Sequence, residues 1–197
     1  MELSKDILSR ATTEGSKKVA EAMTILTSTS VEVEVSRVES MPFNDALNRM
    51  STSGDYGVVV FSNIDTKNVI SGVSLLTIAR PDALMLVDIL NKQEDGTTRI
   101  LKEIDRSAIK EMLNILSNSY ANAIAEASEI ELKIDIPSMI TVTRLQGIIS
   151  QAFRFNAGQM EGLSIIFETT LTIANKKIRV GLFLIFNENF AKLCCSI

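Results

Sequence analysis

Four polar residues, Ser107, Glu111, Asn114 and Asn118, recur at alternating steps of four and three residues. At about 100° per residue they fall within one stripe about 60° wide on a helix. The stripe offers a hydroxyl, a carboxylate and two carboxamides. A carboxylate accepts hydrogen bonds from a cation, and a carboxamide both donates and accepts, so the set can orient a water or a polar partner without changing protonation state. The chain of 197 residues has no histidine. That removes Ser-His-Asp and Cys-His nucleophile pairs, imidazole proton shuttles and the imidazole ligands of most catalytic zinc sites. Chemistry here must use carboxylates, amides, hydroxyls or lysines. Periodicity alone also fits a plainer account, in which Ile109, Met112, Leu113, Leu116, Tyr120 and Ala123 pack on a sheet and the opposite face is merely wet. Two asparagines weigh slightly against it, because Asn is a poor helix former.

The helix that must carry this stripe runs through SAIKEMLNILSNSYANAIAEAS from Ser107 and is followed by LKIDI at Leu132 to Ile136. An earlier stretch, DILSRATTEGSKKVAEAMTIL from Asp6, is followed by the alternating VEVEV at Val31 to Val35, with the period of two of a half-buried strand. The two segments align without gaps at an offset of 101 residues. Two hairpin-like stretches also match, Tyr56 to Ala79 with Leu163 to Phe186, each with two apolar runs joined by a polar turn containing Asn and Lys. Their offset is larger, so the second copy carries a short insertion before its hairpin. The chain reads as a tandem duplication, with a first repeat over about 3–79 and a second over about 104–187. Between them, RPDALMLVDILNKQEDG predicts a connecting helix over about 80–96, started by Pro81 and Asp82 and stopped by Gly96. Neither half alone would bury much surface, and no Pro-, Ser- or Gly-rich linker separates them. One domain over 1–197 is therefore expected. Its class is α/β of the α+β type: two long helices on a shared, largely antiparallel sheet of roughly six strands, with pseudo-twofold symmetry.

The composition is that of a globular protein, with 46% hydrophobic residues and only three prolines. Lys and Arg number 20 against 24 Asp and Glu, a net charge of -4. That balance, with no extended basic cluster, argues against nucleic acid as a partner. No Gly-rich Lys-Ser/Thr loop cradles a phosphate, and no metal or other cofactor bound by the chain itself is expected. Cys194 and Cys195 are neighbours, and a bridge between them would need a strained eight-membered ring, so both are read as reduced thiols. The opening MELSKDILSR lacks the apolar core of a signal peptide. Runs such as GLFLIF at Gly181 to Phe186 fall far short of the ~20 residues that span a bilayer. A cytoplasmic monomer without membrane insertion is expected.

Ser107, Glu111 and Asn114, with Pro137 after 22 further residues, give the pattern Ser/Asp, three residues, Glu, two residues, Asn, then Pro. It resembles the signature of the CheC, CheX and FliY chemotaxis phosphatases. The stretch SAIKEMLNILSNSY looks like the second-copy helix of CheC, and the duplicated layout extends the resemblance over nearly the whole chain. The resemblance implies that the substrate is the phosphorylated response regulator CheY, whose acyl phosphate is hydrolysed. In that reading Asn114 orients the attacking water, and Glu111 pairs with the active-site lysine of the regulator. Mg²⁺ is expected on CheY, not on this chain. Ser107 and Asn118 would lie at the interface with the substrate protein, Asn118 outside the signature and not catalytic. Ser107 has the alternative of a polar N-terminal helix turn, and Pro137 shapes the end of the LKIDI strand.

In the first copy the equivalent positions are Asp6, Arg10, Thr13 and Ser36, so only the opening acid persists. That site is expected to be degenerate, since an arginine cannot replace a carboxylate and Thr13 has no amide. Asp6 then has the role of stabilising a helix N-terminus. Two other functions share this fold: a non-catalytic flagellar switch or adaptor like the FliM middle domain, and a regulatory protein that binds the receptor deamidase CheD. Retention of Glu111 and Asn114 favours the enzyme. So does the sequence as read, which carries neither a regulator-binding peptide at its start nor a rotor domain at its end.

Overall fold

A computed structural model describes residues 5–42, 45–46, 57–66, 69–141 and 163–186. Both long amphipathic segments are helices, α1 (Lys5–Thr27) and α3 (Glu103–Ser128), joined in sequence by the shorter α2 (Arg80–Leu90). The long helices end alike. Ser28 and Glu129, 101 residues apart in sequence, both turn left-handed, with φ of 55° and 54°. The side chains expected to pack do so: Ile109, Met112, Leu113, Leu116, Tyr120 and Ala123 of α3 are all buried.

The strands are β1 (Val31–Pro42), β2 (Val58–Thr66), β3 (Val69–Ile78), β4 (Lys133–Ile134), β5 (Ser138–Thr141), β6 (Leu163–Ile173) and β7 (Lys176–Phe186). They form one sheet in the order β1-β6-β7-β3-β2-β4, with β5 also paired to β2. Every pairing is antiparallel. Read from either end, the order visits equivalent strands of the two repeats, so a pseudo-twofold axis passes between the central strands β3 and β7. The leading strand of each repeat pairs with the hairpin of the other, β1 with β6 and β4 and β5 with β2.

The sheet has seven strands where about six are expected, and Pro137 is the reason. In the second repeat Asp135, Ile136 and Pro137 stand opposite only Ser62 and Asn63 of β2, between the pairs Ile64–Ile134 and Phe61–Ser138. The first repeat has its own register shift between Val35 and Arg37, at Ser36, 101 residues before Pro137. Both copies thus bulge at one place. Serine keeps its N–H and the 12-residue β1 continues, whereas proline lacks the donor and splits the strand. Within LKIDI the ladder pairs are Lys133 and Ile134, and the Asp135 N–H still donates to the Asn63 carbonyl at 3.0 Å.

The central strands are covered on both faces, which explains the unbroken apolar run of β7. Leu182, Leu184 and Phe186 join the core beneath the helices, while Phe183 and Ile185 join Val59, Val73, Leu75 and Ile166 on the opposite face. The two long helices meet closely at Gly15 of α1, over the ring of Tyr120, which stacks on Phe167 with centroids 4.5 Å apart. Ser16 and Tyr120 share a hydrogen bond of 3.1 Å, and Lys18 reaches Glu126 at 2.7 Å.

The connecting helix starts with Pro81 in its first turn, as its sequence suggests, but stops six residues before Gly96. Lys92 takes the left-handed conformation instead, with φ of 53°. Its N–H donates to the Ile89 carbonyl at 3.1 Å, and that of Gln93 to the Asp88 carbonyl at 2.8 Å, the paired bonds that close a helix end. Gly96 lies in the following loop with φ of 77°. The insertion before the second hairpin and the pair Cys194 and Cys195 lie outside the described residues.

Candidate functional site

Helix α3 is fixed in place from several sides. At its start the Asp105 carboxylate accepts from the Lys102 backbone N–H at 2.8 Å and from the Asn91 amide at 3.0 Å. Near its middle, the buried Ser74 hydroxyl of β3 donates to that of Ser117 at 2.8 Å. Because the helix begins at Glu103, Ser107 sits in the second turn, not at the N-terminus. That leaves its hydroxyl exposed on the stripe and removes the alternative of a polar first turn.

The stripe faces the interrupted strand. Ser107, Glu111, Asn114 and Asn118 from α3, together with Pro137 and its neighbours, line one cleft of about 410 Å³. All five second-repeat residues singled out from the sequence meet there. Ser107 and Glu111 are exposed; Asn114, Asn118 and Pro137 are half-buried. The amide nitrogen of Asn118 donates to both the backbone carbonyl and the side-chain oxygen of Asn114, at 2.8 and 2.7 Å. Sequence reasoning missed Lys110, Ile134, Asp135 and Ile136, which complete the lining. Lys110 lies about 70° off the centre of the stripe, and Ile134, Asp135 and Ile136 belong to the strand end and bulge just before Pro137. The immediate proximity of Asp135 and Ile136 to Pro137 was the available signal.

The rim is apolar. Ile136 is 91% exposed, and Ile104, one turn before Ser107 on the helix, is 71% exposed. In the first repeat, Asp6, Arg10 and Thr13 are all exposed on α1. Asp6 is the acid of the first turn, and the Thr13 hydroxyl donates to the Ser9 carbonyl at 3.1 Å. The strand beside them runs on through Ser36 without the break that shapes the second site.

The second cleft can therefore present a carboxylate, an oriented carboxamide and an ammonium to a polar group. Its arrangement suits positioning more than activation, since no imidazole lines it.

No protein-family model matches the chain. Solved structures do. FliY from Thermotoga maritima superposes with a TM-score of 0.72 at 17% identity, covering 98% of this chain and 96% of its own. The FliM middle domain from Vibrio alginolyticus gives 0.63 at 13%, covering 95% and 99%. A CheC-like superfamily protein from Shewanella sp. PV-4 gives 0.53 at 10%, covering 92% and 99%. The duplicated α+β architecture is thus the fold of the CheC and FliY type, shared with the FliM middle domain. No helix among the described residues is long and apolar enough to cross a membrane.

Proposed function

We propose that the chain is a phosphatase that hydrolyses the aspartyl phosphate of a CheY-type response regulator. The observation that carries this reading is the one cleft in which Glu111, Asn114 and Pro137 come together from a helix and a broken strand. An aspartyl phosphate is a mixed anhydride and already activated. Water attacks phosphorus in line, the bond from phosphorus to the carboxylate oxygen breaks, and the products are free carboxylate and inorganic phosphate. Little covalent chemistry is asked of the catalyst, and positioning dominates. Asn114 holds the water, and Glu111 accepts a hydrogen bond from the regulator's lysine, which sets the helix in register. Mg²⁺ belongs to the regulator in this reading. The exposed Ile104 and Ile136 suit a protein-sized substrate, because apolar groups flanking a polar centre are what an interface desolvates. A cytoplasmic location follows from the substrate.

The likeness to the FliM middle domain supports a second reading, an adaptor that binds partners without hydrolysis. Fold does not separate the two, since function is carried by the site. Binding of CheD is compatible with either. The deciding measurement is phosphate release from a phosphorylated CheY-type regulator. The wild-type chain should accelerate it. Asn114→Ala should lower the rate on the order of 10²-fold while regulator binding persists. Glu111→Ala should weaken binding and rate together, and Arg10→Ala and Thr13→Ala should leave activity unchanged. Full activity of Asn114→Ala, or a large loss from Thr13→Ala, would place the chemistry elsewhere; no acceleration by the wild type would favour the adaptor.

A further inference from the structure

Asn118 lies one turn beyond Asn114, outside the Glu-Asn-Pro pattern, and its side chain is turned toward Asn114. Its Nδ2 is 2.8 Å from the Asn114 backbone oxygen and 2.7 Å from Asn114 Oδ1. This pair of contacts removes the ambiguity that usually attends the two ends of a carboxamide. A backbone carbonyl can only accept, so the Asn118 atom beside it must be the nitrogen; an oxygen there would set two acceptors against each other. Both hydrogens of that NH₂ are then committed, one to the carbonyl and one to the Asn114 side chain. The Asn114 atom that receives the second must in turn be its oxygen. The orientation of Asn114 is therefore dictated from behind. Its own NH₂ and the remaining lone pair of Oδ1 are left for whatever enters the cleft that Asn114 lines.

We infer that Asn118 is a positioning residue, which fixes the rotamer and the sense of the Asn114 carboxamide that the proposed hydrolysis uses. The inference rests on the phosphatase reading for its consequence but not for its geometry. A carboxamide free to rotate about its terminal bond presents donor or acceptor at random to a water. Held by Asn118, it presents one arrangement. Both hydrogens of the Asn118 NH₂ are spent on Asn114, so its loss should act on turnover more than on association.

Two measurements on the full chain test this. In the free protein, NMR of side-chain couplings and NH₂ resonances should show one fixed Asn114 rotamer in the wild type and averaging in Asn118→Ala. Asn118→Asp keeps the shape but offers only acceptors, so it should no longer hold Asn114 in the wild-type sense and should instead draw its NH₂ toward position 118. With a phosphorylated CheY-type regulator, Asn118→Ala should lower kcat by roughly 10-fold, short of the ~10²-fold for full misplacement, and leave KM within about 2-fold. Adding it to Asn114→Ala should cost nothing further, because both changes remove one unit. An Asn114 side chain that stays fixed in Asn118→Ala would overturn the inference. So would an unchanged kcat, or a raised KM at unchanged kcat, which would make Asn118 a surface contact only. If the wild type does not accelerate phosphate release, the phosphatase reading alone is lost and the NMR comparison decides on Asn118.

Discussion

Gly15 occupies a place in α1 where any side chain would collide with an aromatic ring. A Cβ there would lie 2.4 Å from Cδ1 and 2.7 Å from Cε1 of Tyr120. The ring has little room to retreat, because Phe167 stacks on its plane. Glycine inside a helix costs about 1 kcal/mol relative to alanine, so the residue is kept against local preference to let the helices approach. Gly15→Ala should therefore destabilise the protein by about 1–3 kcal/mol, as overpacked cores do, despite the better helix former. A shift of the urea midpoint at unchanged slope would show it; a stabilised variant would mean that the ring moves freely. At the rim of the cleft, Ile136→Asp should raise KM for a phosphorylated regulator by roughly 5-fold or more at little cost to kcat, since an apolar contact is lost and a charge is desolvated. Regulator titration would measure it. The polar stripe was legible because a helical period sorts Ser107, Glu111, Asn114 and Asn118 from the buried side. The bond between the two asparagines was not, because spacing brings side chains near one another without fixing their rotamers.

Among the elements, the loop after α2 is organised by one carboxylate. Asp88, 1% exposed, accepts from the backbone N–H groups of Gly96 and Thr98, each at 2.8 Å. Burial alone would raise its pKa, but hydrogen bonds from Thr98, Gly96 and Thr97 outweigh that and hold it below the ordinary 3.8. A carboxyl depressed in the folded state favours folding above its unfolded value, and that contribution fades as pH falls from 3.8 through the lower folded value. Asp88→Asn should remove this part of the acid transition and cost roughly 1–3 kcal/mol at neutral pH, as an unmet buried amide does. Stability measured from pH 2 to pH 7 would test both. The hairpins β2–β3 and β6–β7 were readable as pairs of apolar runs joined by a polar turn. The end of α2 was not, because a lysine took the left-handed position that Gly96 was expected to fill. Nor was the split between β4 and β5, although the proline that causes it was already singled out.

For the whole molecule, the exchange of leading strands between repeats makes each half dependent on the other. β1 finds its partner in β6 and β4 and β5 find theirs in β2, while β3 and β7 pair at the centre. A chain of the first 97 residues would lack β6, the partner of β1, and β7, one of the two partners of β3. Expressed alone it should give the poorly dispersed amide spectrum of an unfolded chain, and mixing with the remaining residues should restore dispersion; a well-dispersed spectrum for either half alone would contradict the shared sheet. The duplication itself was visible in sequence, but not the exchange, because self-similarity says nothing about which copy a strand pairs with. The two borders of the sheet have one more effect, on encounters between molecules. Among the described residues β1 has a partner on one side only, and it points the exposed acids Glu32 and Glu34 outward. The opposite border is broken by Pro137, which has no amide hydrogen to offer an incoming strand. The same proline that shapes the cleft thus guards the chain against fibrillar self-association at one border, as electrostatic repulsion does at the other.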